Sequence, residues 1–372
     1  MIVASMRIAL VHDWLNQHGG AERVLEVLHG LFPEAPVYTS FYEPSRLPDF
    51  YRDWDIRTTW MQRLPLARRY HQPFLPLYPF AFGNLDLSGY DLILSNSSGF
   101  CHGVPRPNVA VHLNYCLTPP RFLWSSETYL ARERAGSLLR LPLKPLLAVL
   151  RRWDVASVRG VDAFAGISQA VVERIRRCYG REASLIYPPV DTDGFAPVPE
   201  HEVEDFYLIV ARLVPYRRID LAIEACNRLR VPLLVVGEGR AGAALEAKAG
   251  PTVRFLGRQP AAEVARLMAR CRAFIFPGEE DFGMAPVEAQ AAGRPVVAYA
   301  AGGSLETVVD GETGVLFREP TVESLMEAIE RGRGIAFDPG RLRRHARQFD
   351  VGVFRERISA FVAEHVGAPA RR

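Results

Sequence analysis

Two carboxylates separated by seven residues, Glu280 and Glu288, lie in the stretch RAFIFPGEEDFGMAPVEAQAAGRPVVAYA. The apolar run Ala273 to Phe276, closed by Pro277 and Gly278, predicts a buried strand. An acidic loop, Glu279-Glu280-Asp281, follows, and then Phe282-Gly283. Pro286 stands where a first helical turn tolerates a missing N–H, which predicts a helix over Val287 to Ala292 ending at Gly293. Pro295 to Ala300 predicts a second buried strand. Glu280 is then on the loop at a strand's carboxyl end, and Glu288 is in the first turn of the helix behind it. The N–H groups of Gly283, Met284 and Ala285 are offered between them. That set suits an anionic ligand carrying hydroxyls, with amides for phosphate or sugar oxygens and carboxylates for hydroxyl donors. Two acids at this spacing alone describe a solvated loop; the strand, loop, helix, glycine and strand around them give the pair chemical meaning.

Cations and glycines recur at matching places. The apolar run Phe206 to Ala211 is followed by Arg212 and Arg217. Two cations at the mouth of a parallel sheet can neutralise a diphosphate leaving group, where charge develops; a solvated arginine cluster is the alternative. Leu233 to Val236 leads into Gly237-Glu238-Gly239-Arg240-Ala241-Gly242, formally G-x-G-x-x-G. A dinucleotide fingerprint also needs an acid about 20 residues on. The strand expected there, Thr252 to Leu256, ends instead in Gly257-Arg258-Gln259. The stretch therefore reads as a turn lining a nucleotide pocket through Gly237, with Arg258 beside the base. Gly19-Gly20 precede a helix over Ala21 to Leu28, where backbone can approach a phosphate or simply form a flexible loop. Asp191-Thr192-Asp193 imitates a D-x-D metal motif but sits among prolines, which favours a turn. Asp281-Phe282-Gly283 imitates a kinase signature without its companions. Lys248, in a polar helix, is a poor Schiff-base lysine.

The elements that must hold these residues follow from the apolar runs. In the first half they fall at Ile8 to Val11, Ala35 to Thr39, Leu92 to Ser95, Val109 to Leu113 and Ala163 to Ile167, with helical patterns such as Ala170 to Cys178 between. Strands alternating with helices predict an α/β fold with parallel sheets. Ligands of such sheets bind beyond the carboxyl ends of the strands. Tyr187-Pro188-Pro189 through Pro199 reads as an extended connector, dividing the chain into domains over 6–190 and 200–348, with a last helix over 349–366.

Composition bounds the rest. The 372 residues are 48% hydrophobic and 23% charged, enough for two cored domains. A net charge of +3 argues against bulk nucleic-acid binding. Cys101, Cys116, Cys178, Cys226 and Cys271 are scattered and no signal peptide is evident, so a cytoplasmic location is expected. No apolar run is long enough to cross a membrane. Two stretches mix aromatic or leucine residues with cations. One holds Trp54, Arg57, Trp60, Arg63, Arg68, Arg69, Tyr70, Phe74 and Phe80; the other holds Arg132, Arg134, Arg140, Lys144, Arg151 and Arg152. They read either as amphipathic surface or as a peripheral patch for anionic lipid headgroups or a polyprenyl-diphosphate acceptor.

Glu280, Phe282, Gly283, Glu288, Ala289, Gly293, Pro295, Val296 and Val297 match the motif E-x-F-G-(x)4-E followed by A-x-x-x-G-x-P-V-V. In this the chain resembles the family 4 retaining nucleotide-sugar glycosyltransferases, in particular bacterial mannosyl- and rhamnosyl-type enzymes of polysaccharide assembly. HLNYCLTPPRFLW is similar to a second family stretch at Tyr115, Cys116, Thr118, Pro119, Arg121, Phe122 and Trp124. It departs at Leu117, where the family commonly has a histidine near the sugar C6 hydroxyl. Arg217 stands where the family usually has lysine, and Gly302-Gly303-Ser304 with Glu306 resembles its G-G-x-x-E turn.

The resemblance implies two Rossmann-like domains facing across a cleft (GT-B), the last helix crossing back to the first, and hexosyl transfer with retention and no metal or other cofactor. Glu280 would hold sugar hydroxyls with the amides of Gly283 and Met284 beside Phe282, Glu288 the ribose hydroxyls, and Arg212 and Arg217 the departing phosphate. Gly19 and Gly20 would flank the donor diphosphate, while Tyr115, Leu117, Arg121 and Trp124 would lie near acceptor or sugar. Retention by attack on the leaving-group face asks for no general base. The donor expected is GDP-mannose or a GDP-6-deoxyhexose, and the acceptor a lipid-linked or growing saccharide. The other readings are an NAD-dependent or epimerase-type enzyme acting on nucleotide sugars, and a silent binding partner.

Overall fold

The computed structural model describes residues 6–65, 72–107, 109–124 and 137–366. Arg68, Arg69, Tyr70, Arg132 and Arg134 of the basic stretches lie outside them. The chain divides into two compact units, Met1–Pro189 with Phe354–Arg372, and Val190–Val353.

The first unit is a seven-stranded sheet: β1 (Ile8–His12), β2 (Val37–Thr39), β3 (Ile56–Thr58), β4 (Leu92–Ser97), β5 (Val111–Cys116), β6 (Ala163–Gly166) and β7 (Ala183–Leu185). Its order is β3-β2-β1-β4-β5-β6-β7 and every pairing is parallel. All five residues of β1 are buried, as expected for an unbroken apolar run in a parallel sheet covered on both faces. Strand β4 starts apolar and turns polar toward its carboxyl end, beside the polar His112 and Asn114 of β5. Ser95, Ser97, His112 and Asn114 are buried there and bonded to one another: Asn114 Nδ2 donates to Ser95 Oγ at 2.8 Å, and Ser95 Oγ meets His112 Nε2 at 2.8 Å. From Phe354 onward the helix Val351–Val366 belongs to this unit, with Phe354 buried edge-on to Tyr115 at 5.4 Å.

The second unit repeats the scheme with β8 (Tyr207–Val210), β9 (Leu233–Val236), β10 (Val253–Gly257), β11 (Ala273–Phe276), β12 (Val296–Tyr299) and β13 (Gly314–Phe317), in the all-parallel order β10-β9-β8-β11-β12-β13. Alternate strand residues face opposite sides. Ile209, Val235, Ile275 and Val297 join Ile223, Leu325 and Ile329 in one core, and Leu208, Val236, Phe274 and Val296 join Met268 and Ala289 in the other. Both sheets thus have the doubly wound order in which the chain reverses direction beside the first strand, at β1/β4 and at β8/β11.

Strands β3, β7 and β13 go beyond the sequence expectation. All three are sheet edges of three or four residues, and β3 and β7 are only half-buried, so no buried run announces them. The Pro-rich connector is not a free linker. Val190 N–H donates to the Phe349 carbonyl at 2.9 Å, Thr192 Oγ1 donates to Asp350 at 2.6 Å, and Phe195 and Val198 pack on the second unit's core.

Candidate functional site

In the second unit the loops after β8 and β11 meet where the strand order reverses. Arg217, on the first loop, forms an ion pair with Glu280 on the second; their side chains are 18% and 17% exposed. The approach is close along the backbone as well, since a Cβ on Gly278 would stand 2.8 Å from the backbone of Arg217. Only a residue without a side chain fits there. Tyr216 lies between the two cations: Arg212 Nη2 donates to its hydroxyl at 3.2 Å, and the Arg217 guanidinium sits 5.6 Å from its ring centroid. Arg218, next in the chain, is held left-handed at φ 51°, a conformation that costs an L-residue energy and recurs at functional loops. Tyr216, Arg218 and Gly278 were not singled out in the sequence. A tyrosine between two loop arginines and a glycine closing an apolar strand were the signals.

The glycine-rich turn after β9 has a structural task beside these loops. A Cβ on Gly237, whose φ is 129°, would fall 2.0 Å from the Ala211 carbonyl oxygen, and one on Gly239 would fall 2.3 Å from that of Leu213. Leu213 N–H donates to Glu238 O at 3.0 Å and Ala241 N–H to Leu213 O at 2.9 Å. The turn therefore clamps the segment that carries Arg212. The helix behind it, Gly242–Glu246, has five residues, which removes the long helix a dinucleotide fingerprint requires. Arg258 follows β10 and is exposed.

Gly302 and Gly303 receive the acidic loop from the other side. Gly303 N–H donates to the Glu280 carbonyl at 2.8 Å, and a Cβ on Gly303 would stand 2.2 Å from Phe282 Cα. Phe282 is buried edge-on to Phe349 at 5.4 Å. Gly283, at φ 87°, caps a helix over Met284–Ala291. That helix begins three residues before the expected Val287, with Pro286 as its third residue, a place where the N–H has no intrahelical partner to lose. Glu288 consequently stands in the second turn rather than the first, and it is buried at 6% exposure. Asp191 of the D-x-D imitation accepts from Gly194 N–H at 3.1 Å, closing a local turn.

In the first unit the loops after β1 and β4 meet in the same way. Asp13, buried, accepts from the N–H groups of Ser98, Gly99 and Cys101 at 2.6, 2.7 and 2.9 Å, so one carboxylate shapes the whole turn after β4. Gly19, extended, precedes the helix Gly20–Leu31. Glu22 in its first turn is 1% exposed; neither carboxylate oxygen has a hydrogen-bond partner among the described residues, and His12 Nε2 lies 3.7 Å away. His12, Asp13 and Glu22 were missed in the sequence, although an acid directly behind a buried strand was a visible sign for Asp13.

Four residues expected near acceptor or sugar have different surroundings. Tyr115 is fully buried, with its hydroxyl donating to Ile186 O at 3.0 Å, and so belongs to the core rather than to a ligand surface. The motif match there is a packing match. Trp124 donates through Nε1 to buried Asp154 at 2.8 Å, tying the short helix Arg121–Trp124 to the helix Ser137–Ser157. His102 Nε2 lies 3.1 Å from the other oxygen of the same carboxylate. Leu117, held by its N–H to Ser97 O at 2.8 Å, and Arg121 are partly exposed at the carboxyl end of β5.

Residues 192–332 match the model of the family described as glycosyl transferases group 1. The chain is 32% identical over 198 residues to the GDP-mannose-dependent alpha-(1-6)-phosphatidylinositol monomannoside mannosyltransferase of Mycolicibacterium smegmatis, covering 45% of this chain and 52% of that one. It is 30% identical over 285 residues to the D-inositol 3-phosphate glycosyltransferase of Mycobacteroides abscessus, covering 65% and 64%. Both matches span less than two thirds of the relative's length. Among solved structures, Anabaena Alr3699/HepE in complex with UDP superposes with a TM-score of 0.72 at 20% identity, covering 96% of this chain and all of that one. Sucrose-phosphate synthase of Thermosynechococcus elongatus gives 0.72 at 19% identity, covering 96% and 98%. The chain thus shares the GT-B fold of two Rossmann-like domains over nearly its whole length, and a glycosyltransferase sequence signature over most of its second unit.

Proposed function

We propose that this protein is a glycosyltransferase that moves a sugar, with retention, from a nucleoside-diphosphate donor to an acceptor hydroxyl. The observation that carries the reading is the Arg217–Glu280 pair at the strand reversal of the second sheet, with Arg212 beside it. Departure of a nucleoside diphosphate leaves charge on the bridging oxygen. Preorganised guanidinium groups stabilise that charge where it develops, while a carboxylate orients the hydroxyls of the transferred sugar. Glu280 takes the sugar, Arg212 and Arg217 the leaving diphosphate, and buried Glu288 the ribose. Gly237 and Arg258 line the base, Phe282, Gly283 and Met284 the sugar side, and Gly19 and Gly20 are assigned to donor binding. No step requires a metal or other cofactor.

The donor we favour is GDP-mannose or a GDP-6-deoxyhexose. The name of the M. smegmatis relative specifies GDP-mannose, whereas the Anabaena structure holds UDP. A lipid-linked or growing saccharide is the acceptor in this proposal, which fits a cytoplasmic enzyme touching an anionic membrane surface. Trp60 and Phe80 are exposed at 42% and 65%, and among the described residues no helix is long and apolar enough to cross a membrane. An NAD-dependent enzyme is disfavoured by the five-residue helix behind the glycine-rich turn. Fluorescence titration with GDP, UDP and NAD tests the choice. Binding of a nucleoside diphosphate and not of NAD is the expected result; NAD binding without either nucleoside diphosphate would overturn it.

A further inference from the structure

A cavity lies at the opposite end of the second sheet's strands from the Arg212 and Glu280 loops. Its volume is about 370 Å³, and it opens among the amino ends of β8, β11 and β12, the end of the helix Val322–Arg333 and the segment 335–339. Small-molecule sites run from about 300 to 1,000 Å³ and combine apolar walls with a few placed polar groups. Here the walls include Val296, Ile329, Ile335 and Phe337, and the cationic lining is Arg272, Arg294 and Arg333. The strands are four residues long, so about 13 Å of sheet separates this end from the Arg212 and Glu280 loops.

One buried donor of the lining is left unmatched. Arg294 is 4% exposed, its Nε has no hydrogen-bond partner among the described residues, and the carboxylate nearest to it among them, Glu200, is 3.9 Å away with a side chain 85% exposed. The other acids of the lining are already engaged: Asp205 pairs with Arg272 at 2.6 Å and Glu204 with Arg270 at 3.4 Å. Arg333 bonds the Tyr207 hydroxyl and pairs with Glu330 at 2.9 Å. A buried guanidinium N–H left without an acceptor is costly to keep, and a planar fork of donors suits a phosphate oxygen pair.

From this geometry we propose that the cavity is a second binding site, separate from the donor loops, for a small organic phosphate whose anionic head sits on Arg294 and Arg333 and whose body lies against Val296, Ile335 and Phe337. The test is calorimetric titration of the full chain with phenyl phosphate and, separately, inorganic phosphate. Phenyl phosphate binds more tightly than inorganic phosphate, because only it uses the apolar wall. Arg294→Met weakens phenyl phosphate by roughly tenfold or more, the measure of one charge-assisted hydrogen bond, while Arg212→Ala leaves it unchanged. Should Arg294→Met lose its native circular dichroism, Arg333→Met serves in its place and must also abolish the rise in Tm that phenyl phosphate gives the wild type. Unchanged affinity in the arginine variants of the cavity, loss of binding in Arg212→Ala instead, or no binding of phenyl phosphate at all would each overturn the assignment.

Discussion

Arg217 and Glu280 join the loops that follow β8 and β11, the two strands that flank the reversal of the second sheet. In isolation the pair neutralises itself. In the proposed reaction it is drawn apart, the guanidinium toward the departing diphosphate and the carboxylate toward sugar hydroxyls. Arg217→Ala should therefore lower kcat about 10²–10³-fold, the range for losing one preorganised donor. In a double-mutant cycle with Glu280→Gln the losses should be far from additive. Steady-state kinetics of the four proteins checks this; additive losses would mean that the pair does not act as a unit.

Glu280 and Glu288 should separate by role. Glu288 is buried in the second turn of its helix, whereas Glu280 sits half-buried on the loop after β11. Glu288→Ala should mainly weaken nucleoside-diphosphate binding, by roughly 10–100-fold for lost hydrogen bonds to a charged group. Glu280→Ala should mainly lower turnover. Calorimetry and single-turnover kinetics distinguish the two, and equal effects on affinity alone would refute the division.

Leu117 cannot donate or accept a hydrogen bond. If its side chain faces the sugar's C6 position, Leu117→His should move donor preference from deoxyhexose toward hexose, read from competing donors by mass spectrometry. An unchanged preference removes Leu117 from the sugar's surroundings.

Gly237→Ala tests the clamp on the Arg212 segment. The added Cβ meets the Ala211 carbonyl and requires a φ that alanine resists, so a loss of about 1–3 kcal/mol in stability is expected. A larger proportional fall in kcat should follow, because Arg212 is displaced. Thermal unfolding alongside kinetics checks both; wild-type kinetics with normal stability would show that the clamp is unnecessary.

His112 predicts an acid-side loss of stability in the first unit. Burial, seconded by His102, lowers its pKa from 6.5 to about 3, while Asp162 pulls the other way and Arg106 adds to the lowering. The unfolded chain therefore binds a proton between about 6.5 and 3 that the folded chain refuses. Stability is complete above about 6.5 and falls with pH by about 1.4 kcal/mol per unit below it. Denaturant midpoints from pH 7 to 4.5 should show this slope. His112→Gln, which can keep a hydrogen bond to Ser95, should flatten it; an identical slope in the variant would assign the loss to other groups.

Much of this was legible in the residues. The strands that the sequence announces are the central ones, because a parallel sheet buries them on both faces and so demands unbroken apolar runs. The edge strands β3, β7 and β13 are short, and β3 and β7 are only half-buried; they carry no such mark. That Arg212, Arg217 and Glu280 stand on loops at the carboxyl ends of strands was legible because each loop directly follows an unbroken apolar run. Tyr115 misled because a motif position can report packing as readily as contact, and its hydroxyl is spent on Ile186. Glu22 and Arg294 were silent: each depends on which distant side chain or cavity the fold brings to it, and sequence spacing does not encode that.

The most direct test is a screen of nucleotide sugars against the wild type and Arg217→Ala, with products followed by mass spectrometry. A transferase leaks slow donor hydrolysis when no acceptor is supplied, so the wild type should release the nucleoside diphosphate and free sugar from one donor, and Arg217→Ala should do so at least about a hundredfold more slowly. An isomerised nucleotide sugar with no diphosphate released, or equal release by both proteins, would contradict the account.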